Sequence, residues 1–126
     1  MKAILLVGVG SFLGGALRYL TNIMAQRYFL LTFPFGTFIA NILGCFLIGV
    51  FFALSERNSA ISSEWRLFLI TGFCGGYTTF SSFSIESLNL LRGKEYFFFS
   101  LNIGASIILG ISATVFGIFV VRLLSK

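Results

Sequence analysis

A glycine- and hydroxyl-rich stretch interrupts one of the long apolar segments of this sequence. Residues 71–84 read TGFCGGYTTFSSFS, with three glycines and then six hydroxyl side chains between Tyr77 and Ser84. Each glycine weakens a helix by about 1 kcal/mol relative to alanine. Irregular backbone within a bilayer survives only where it is buried in protein or lines a wet cavity. The stretch therefore predicts a pore or an ion site rather than a lipid-facing helix.

The composition around this stretch is that of a membrane protein. Of the 126 residues, 57% are hydrophobic and 10% are charged, whereas a soluble domain carries about 25% charged residues. A spanning helix needs about 20 mainly apolar residues, and four segments qualify: 3–20, 33–54, 65–91 and 96–124. We therefore predict an all-α membrane protein, a single domain of four transmembrane helices over residues 1–126, with the third helix broken near Gly75.

The charged residues argue against several classes of function. Lys and Arg are scattered, so no basic patch could follow a nucleic acid backbone. The sequence has no histidine and only four carboxylates, so we predict that it is not an enzyme, and we assign Glu86 no proton-carrying role.

A small multidrug exporter would need an acidic residue deep in the first helix, and residues 3–17 contain none. A membrane scaffold is the remaining alternative, although it would not explain the hydroxyl-rich break.

Positive charge is nearly balanced between the two sides of the predicted bundle. Five Lys and Arg residues lie on the side of the termini and four lie on the opposite side. Because Lys/Arg asymmetry sets orientation, this balance leaves two alternatives open. The chain either inserts both ways round, so that opposite copies can pair about an axis in the membrane plane, or follows a weak bias toward one orientation.

Polar side chains in the second and fourth segments are candidates for lining a pathway. Asn41 lies one third of the way into the second segment, where its amide would either bond another helix or donate an N–H to an anion. A stripe on the fourth helix repeats every four residues and therefore shares one face. We interpret the stripe as a polar track, with helix packing as the alternative. Its members are Asn102, Ser106, Gly110 and Thr114.

The aromatic residues after the break, the arginine near the end of the first segment and the backbone of the break itself are further candidates. Phe80 and Phe83 follow the break and share one helix face. Their ring edges would suit an anion and their ring faces a cation, so the residue type leaves the sign open. Arg18 is either an interfacial anchor or a vestibule charge that attracts anions. Carbonyl groups at the break could coordinate a cation such as Na⁺.

Three motifs together resemble the CrcB/Fluc family of fluoride channels. They are GGALRY at 14–19, GTFIANILG at 36–44 and GFCGGYTTFSSFS at 72–84, and the similarity extends over the whole chain. The resemblance implies an antiparallel, dual-topology homodimer in the cell membrane that exports fluoride passively. It also implies two pores, each lined by residues from both subunits.

The resemblance further implies roles for single residues. Phe80 and Phe83 would line the fluoride path with their ring edges, and Asn41 would donate to the ion. Arg18 would be a vestibule residue. The polar track would comprise Asn102, Ser106 and Thr114, while Gly110 replaces a hydroxyl expected in some relatives. Carbonyl groups of Gly75 and Thr78 from both subunits would hold one structural Na⁺ that is not transported.

Overall fold

The computed structural model describes residues 1–57 and 61–125 and is all-helical over those ranges, as predicted. The bounds are α1 Lys2–Tyr28, α2 Phe35–Glu56, α3 Ser63–Arg66, the π-helical segment Leu67–Cys74, α4 Gly75–Tyr77, α5 Phe80–Arg92 and α6 Tyr96–Leu124. Helices α1, α2 and α6 are long. The segment between α2 and α6 is broken, and it consists of the short helix α3, the π-helical segment, the single turn α4 and the helix α5.

Among the described residues, three helices are long and apolar enough to cross a membrane: α1, α2 and α6. Their surfaces carry large exposed apolar side chains, such as Phe12, Phe97 and Ile108. An apolar surface of this extent is unusual for a soluble monomer and is what lipid contact requires. The helix α1 continues to Tyr28, beyond the predicted end of the first segment at residue 20.

The third segment is broken, as predicted, but the break lies after the glycine pair rather than at it. Gly75 and Gly76 are still helical, whereas Thr78 and Thr79 adopt extended backbone with ψ values of 153° and 123°. The π-helical segment before the break was not predicted. Its wider turn is shown by the N–H of Gly75, which reaches the carbonyl group of Ile70, five residues back.

Glycines allow α1 to lie directly against the first half of the broken segment. A Cβ atom at Gly14 would overlap the carbonyl group of Phe73, and one at Gly76 would overlap the carbonyl group of Ser11. The hydroxyl of Ser11 also donates to the carbonyl group of Gly72 across this interface (3.3 Å). Small residues let helix backbones approach closely in membranes, so this contact fixes residues 67–77 against α1.

A second glycine-mediated contact joins α2 to α6. A Cβ atom at Gly49 would overlap the carbonyl group of Thr114, and one at Gly117 would overlap that of Phe46. Helix α5 packs mainly against α6, with a smaller contact to α2. The break at residues 78–79 therefore lies between two closely packed helix pairs, facing the middle of α2.

Candidate functional site

Asn41 spans the break with two hydrogen bonds to a single residue of the main chain. Its Oδ1 accepts from the N–H of Thr79 (2.7 Å), and its Nδ2 donates to the carbonyl group of Thr79 (3.1 Å). Both main-chain groups of Thr79 lie outside regular helix, so each needs a partner. An asparagine amide has two N–H donors, and the second N–H of Asn41 remains for another acceptor.

The hydroxyls at the break cap the helices on either side. The hydroxyl and the N–H of Thr78 both donate to the carbonyl group of Cys74 (2.8 and 2.9 Å), which closes the first half. On the other side, Thr79 is the N-cap of α5, because its Oγ1 accepts from the N–H of Ser82 (3.2 Å). Helix ends left without such partners are costly within a bilayer. Hydroxyl groups therefore cap both helix ends at the break.

An open cavity of about 310 Å³ lies beside the break. Four residues predicted for the pathway line it, and they come from three different helices: Asn41, Phe80, Phe83 and Ser106. The other lining residues are Cys45, Ile48, Thr78, Thr79 and Ile107. The lining is mostly apolar with a few amide and hydroxyl groups, which is typical of a ligand site.

The two phenylalanines of the cavity differ in how far the chain itself covers them. Phe80 is 78% exposed, whereas Phe83 is half-buried. Their ring centroids are 5.7 Å apart and the rings are tilted by 38°. The Oγ atom of Ser106, which also lines the cavity, is buried and has no hydrogen-bond partner among the described residues. A buried hydroxyl without a partner is costly, so a partner for Ser106 has still to be found.

Two residues of the predicted polar track line no part of this cavity. Asn102 is 2% exposed, and its Nδ2 donates to the hydroxyl of Ser87 on α5 (3.0 Å). The hydroxyl of Thr114 lies 3.1 Å from the carbonyl groups of both Cys45 and Gly110. Each side chain thus has a partner within the chain, and ion contact by Asn102 and Thr114 stays a prediction.

Arg18 and the backbone oxygens at the break are the remaining predicted residues. Arg18 is half-buried on α1 and does not line the cavity. Within the described part of the chain, no donor reaches the carbonyl oxygen of Gly75 or of Thr78. Unwound carbonyl groups of this kind can coordinate a cation. Both the vestibule role and the cation role stay predictions.

A polar pair between α2 and the middle of α5 was missed by the sequence interpretation. The hydroxyl of Thr37 donates to Oε1 of Glu86 (2.7 Å), and Oε2 of Glu86 is buried without a partner among the described residues. Glu86 lines two cavities of about 210 and 360 Å³, the first of which also contains Asn22 and Gln26. A signal was available, since Thr37 lies four residues before Asn41 and therefore shares its helix face.

Comparison with known proteins identifies the family. The family model described as "CrcB-like protein, Camphor Resistance (CrcB)" matches residues 5–118. Three similar curated proteins carry the name fluoride-specific ion channel FluC. The protein of Flavobacterium psychrophilum is 45% identical over 97% of this chain and 98% of its own length. The protein of Phocaeicola vulgatus is 48% identical over 94% and 97%, and that of Chlorobium phaeobacteroides 47% identical over 96% and 94%.

These relatives cover nearly the whole chain, and the match includes the break, α2 and α6. They are named as ion channels, a non-enzymatic class, which agrees with the prediction that the chain is not an enzyme. Together with the three apolar helices, the family makes this a multi-pass membrane protein. The chain belongs to the CrcB-like family.

Proposed function

We propose that the chain is a fluoride-selective passive ion channel that lowers the cytoplasmic fluoride concentration by letting the ion leave the cell. The names of relatives that are 45–48% identical support the substrate. The observation that carries the proposal within the chain is the cavity beside the break. There the amide of Asn41, the unpartnered hydroxyl of Ser106 and the rings of Phe80 and Phe83 line one space.

These groups suit a small, strongly hydrated anion. Fluoride can enter a narrow path only if other groups replace its water shell. The second N–H of Asn41 and the hydroxyl of Ser106 would act as donors, and the phenyl edges of Phe80 and Phe83 carry positive partial charge. None of these groups is a full charge, so the ion would be held at several weak sites, which lets it leave as well as enter.

We also propose that the broken segment crosses the membrane, as the third of four spans. Residues 63–92 would extend about 45 Å at helical rise, which exceeds a hydrocarbon core of about 30 Å. The break would then lie within the bilayer, where Asn41 and the capping hydroxyls replace the missing helical hydrogen bonds. Four spans return the chain to the side on which it began.

The working unit is proposed to be an antiparallel homodimer with two pores. Several features favour a second copy. Phe80 is 78% exposed although it lines the cavity. A Cβ atom added at Gly8, Gly15 or Gly104 would meet no atom from outside its own helix turn within 4 Å, so a second chain could approach these positions. The near-balance of positive charge would permit both orientations. A two-fold axis in the membrane plane would then generate two equivalent pores.

A structural Na⁺ is proposed at the dimer axis, held by the carbonyl oxygens of Gly75 and Thr78 from both chains. These oxygens fit because no donor in the described residues reaches them. Oxygen ligands are what a hard cation prefers. The ion would contribute a fixed positive field and would join the two broken helices; it would not be transported.

Anion efflux from liposomes tests the proposed function. Purified protein is reconstituted with internal fluoride or chloride, and efflux is started with a K⁺ ionophore. Rapid fluoride loss with little chloride loss is the expected result. If folded protein in the presence of Na⁺ releases neither anion, the proposal is overturned, and the exporter or scaffold alternatives are favoured.

A further inference from the structure

We infer that Asn102 is a positioning residue. Through its hydrogen bond to Ser87, it would fix the rotation of α5 against α6 and so hold Phe83 and Ser106 in the candidate pathway. The inference rests on the proposed function, since its effect is read as ion conduction. It differs from a direct contact between Asn102 and the ion, which the polar-track interpretation predicts.

The contact is a buried polar pair between α5 and α6. Asn102 is 2% exposed and Ser87 is 6% exposed. The Nδ2 of Asn102 donates to the Oγ of Ser87 at 3.0 Å. Neither residue lines the cavity beside the break. A buried amide needs a partner, and this hydrogen bond supplies it from the neighbouring helix rather than from an ion.

The spacing of the two helices links this pair to the cavity. Ser87 lies four residues after Phe83 on α5, and Asn102 lies four residues before Ser106 on α6. Residues four apart share a helix face. The helices are joined by a short turn after Arg92, so they run antiparallel, and the Phe83/Ser106 pair lies one turn farther from that turn than the Ser87/Asn102 pair. The hydrogen bond therefore lies one helical turn from the two lining residues, on the side of the turn that joins α5 to α6.

Few contacts orient helix α5. It begins at the break and packs mainly against α6, and its minor contact with α2 includes the hydrogen bond from Thr37 to Glu86. The bond from Asn102 to Ser87 is the corresponding tie to α6. Apolar contacts tolerate rotation of a helix about its own axis, whereas a hydrogen bond prefers a narrow range of angles. Losing the bond would leave two buried polar groups without partners. Rotation of α5 would then carry the ring of Phe83 away from Ser106.

Single-channel recording in planar bilayers tests the inference, because it separates the conductance of each channel from the number of channels. The variants are Ser87→Ala, Asn102→Ala, the double variant with both changes, and the exchange variant S87N/N102S. The matched control is Ser100→Ala, since Ser100 is exposed on α6 and points away from Asn102. Wild-type protein is recorded first, and its silence toward fluoride would reject the proposed function before any variant is considered.

The expected result is non-additivity. Ser87→Ala and Asn102→Ala should each lower fluoride conductance per channel by about two- to tenfold, with the double variant no lower than the worse single, as for coupled neighbours. The exchange variant should recover most of the loss, because it restores the donor and acceptor on opposite helices. The control should conduct like wild type.

Two results would overturn the inference. Wild-type conductance in Ser87→Ala would show that Asn102 does not act through Ser87, and a loss in Asn102→Ala alone would then assign it to ion contact. Fewer channels of unchanged conductance in both single variants would reduce the bond to a folding role. Because Ser87→Ala removes only one oxygen atom, this variant alone can decide the test if the Asn102→Ala protein cannot be reconstituted into bilayers.

Discussion

The side-chain amide of Asn41 pairs with both main-chain groups of Thr79, as a neighbouring strand would in a sheet. The two residues are 38 positions apart, so a single side chain on α2 supplies the partners that the broken helix lacks. The first prediction concerns this pair. Asn41→Ala should destabilise the protein by about 2–5 kcal/mol, because it leaves two main-chain groups unpaired.

Thermal unfolding in detergent measures this loss. Asn41→Asp is the informative companion variant. Its carboxylate can still accept from the N–H of Thr79 but cannot donate to the carbonyl group, and it adds a negative charge beside the cavity. It should retain more stability than Asn41→Ala while conducting little fluoride. Fluoride efflux equal to wild type in both variants would contradict a role for this amide in the path.

The rings of the cavity give the second prediction. Phe80→Ile and Phe83→Ile should each leave the protein assembled but slow fluoride efflux by about two- to tenfold, the range that aromatic edge interactions account for. Isoleucine preserves apolar bulk and removes the positive ring edge. Trp65→Ile is a suitable control, because Trp65 lies on α3, far along the chain from the break, and is exposed. Unchanged efflux from both cavity variants would remove the rings from the mechanism.

Removal of Na⁺ is the third prediction. Exhaustive exchange into buffer with a large organic cation should lower fluoride efflux or weaken the proposed homodimer, because the carbonyl oxygens of Gly75 and Thr78 from its two chains would then face each other without a cation between them. Readdition of Na⁺ should restore both properties. Efflux and assembly that are insensitive to Na⁺, after the metal content has been measured and found negligible, would count against this site.

The turn between α5 and α6 gives the fourth prediction. Lys94 has a φ of 59°, and the N–H of Glu95 bonds the carbonyl group of Leu90 (2.9 Å), which is the geometry of a glycine-type helix end. Lys94→Gly should stabilise the protein by about 1 kcal/mol, since glycine adopts this backbone without strain. Lys94→Ala loses the same charge without that relief and is the matched control in thermal unfolding. Equal melting temperatures of the two variants would refute the prediction.

Hydropathy predicted the apolar segments of the chain well, but it predicted the ends of the helices less well. The first segment was placed at 3–20, yet α1 continues to Tyr28. Residues 21–28 are more polar, which lowers hydropathy but does not stop a helix, and no proline occurs before Pro34. The break was predicted from its composition near Gly75, and the chain leaves the helix three residues later, at Thr78. Gly76 stays helical where it packs against Ser11, and the chain departs from helix where Asn41 offers partners.

The site was predicted in part for a similar reason. Motif resemblance brought Asn41, Phe80, Phe83 and Ser106 to one place, and these four line one cavity. The spacing placed Asn102 on the same face of α6 as Ser106, but one face of a helix can contact more than one neighbouring element. Its bond to Ser87 depends on how α5 is rotated against α6, and no residue pattern within one helix contains that angle. The pairing of Thr37 with Glu86 was missed on the same ground.

The π-helical segment Leu67–Cys74 has a consequence for the permitted length of this chain. A π-helix holds more residues in each turn than an α-helix, so one residue could be lost there without breaking the rod. The wider turns accommodate that residue, so its loss would restore α-helical turns and leave the helix beyond them close to its present rotation, with Thr79 still facing Asn41. A one-residue change of length in a purely α-helical stretch would instead rotate the residues beyond it by about 100°. Within the broken segment, Leu67–Cys74 is therefore the interval in which the loss of one residue should disturb the site least.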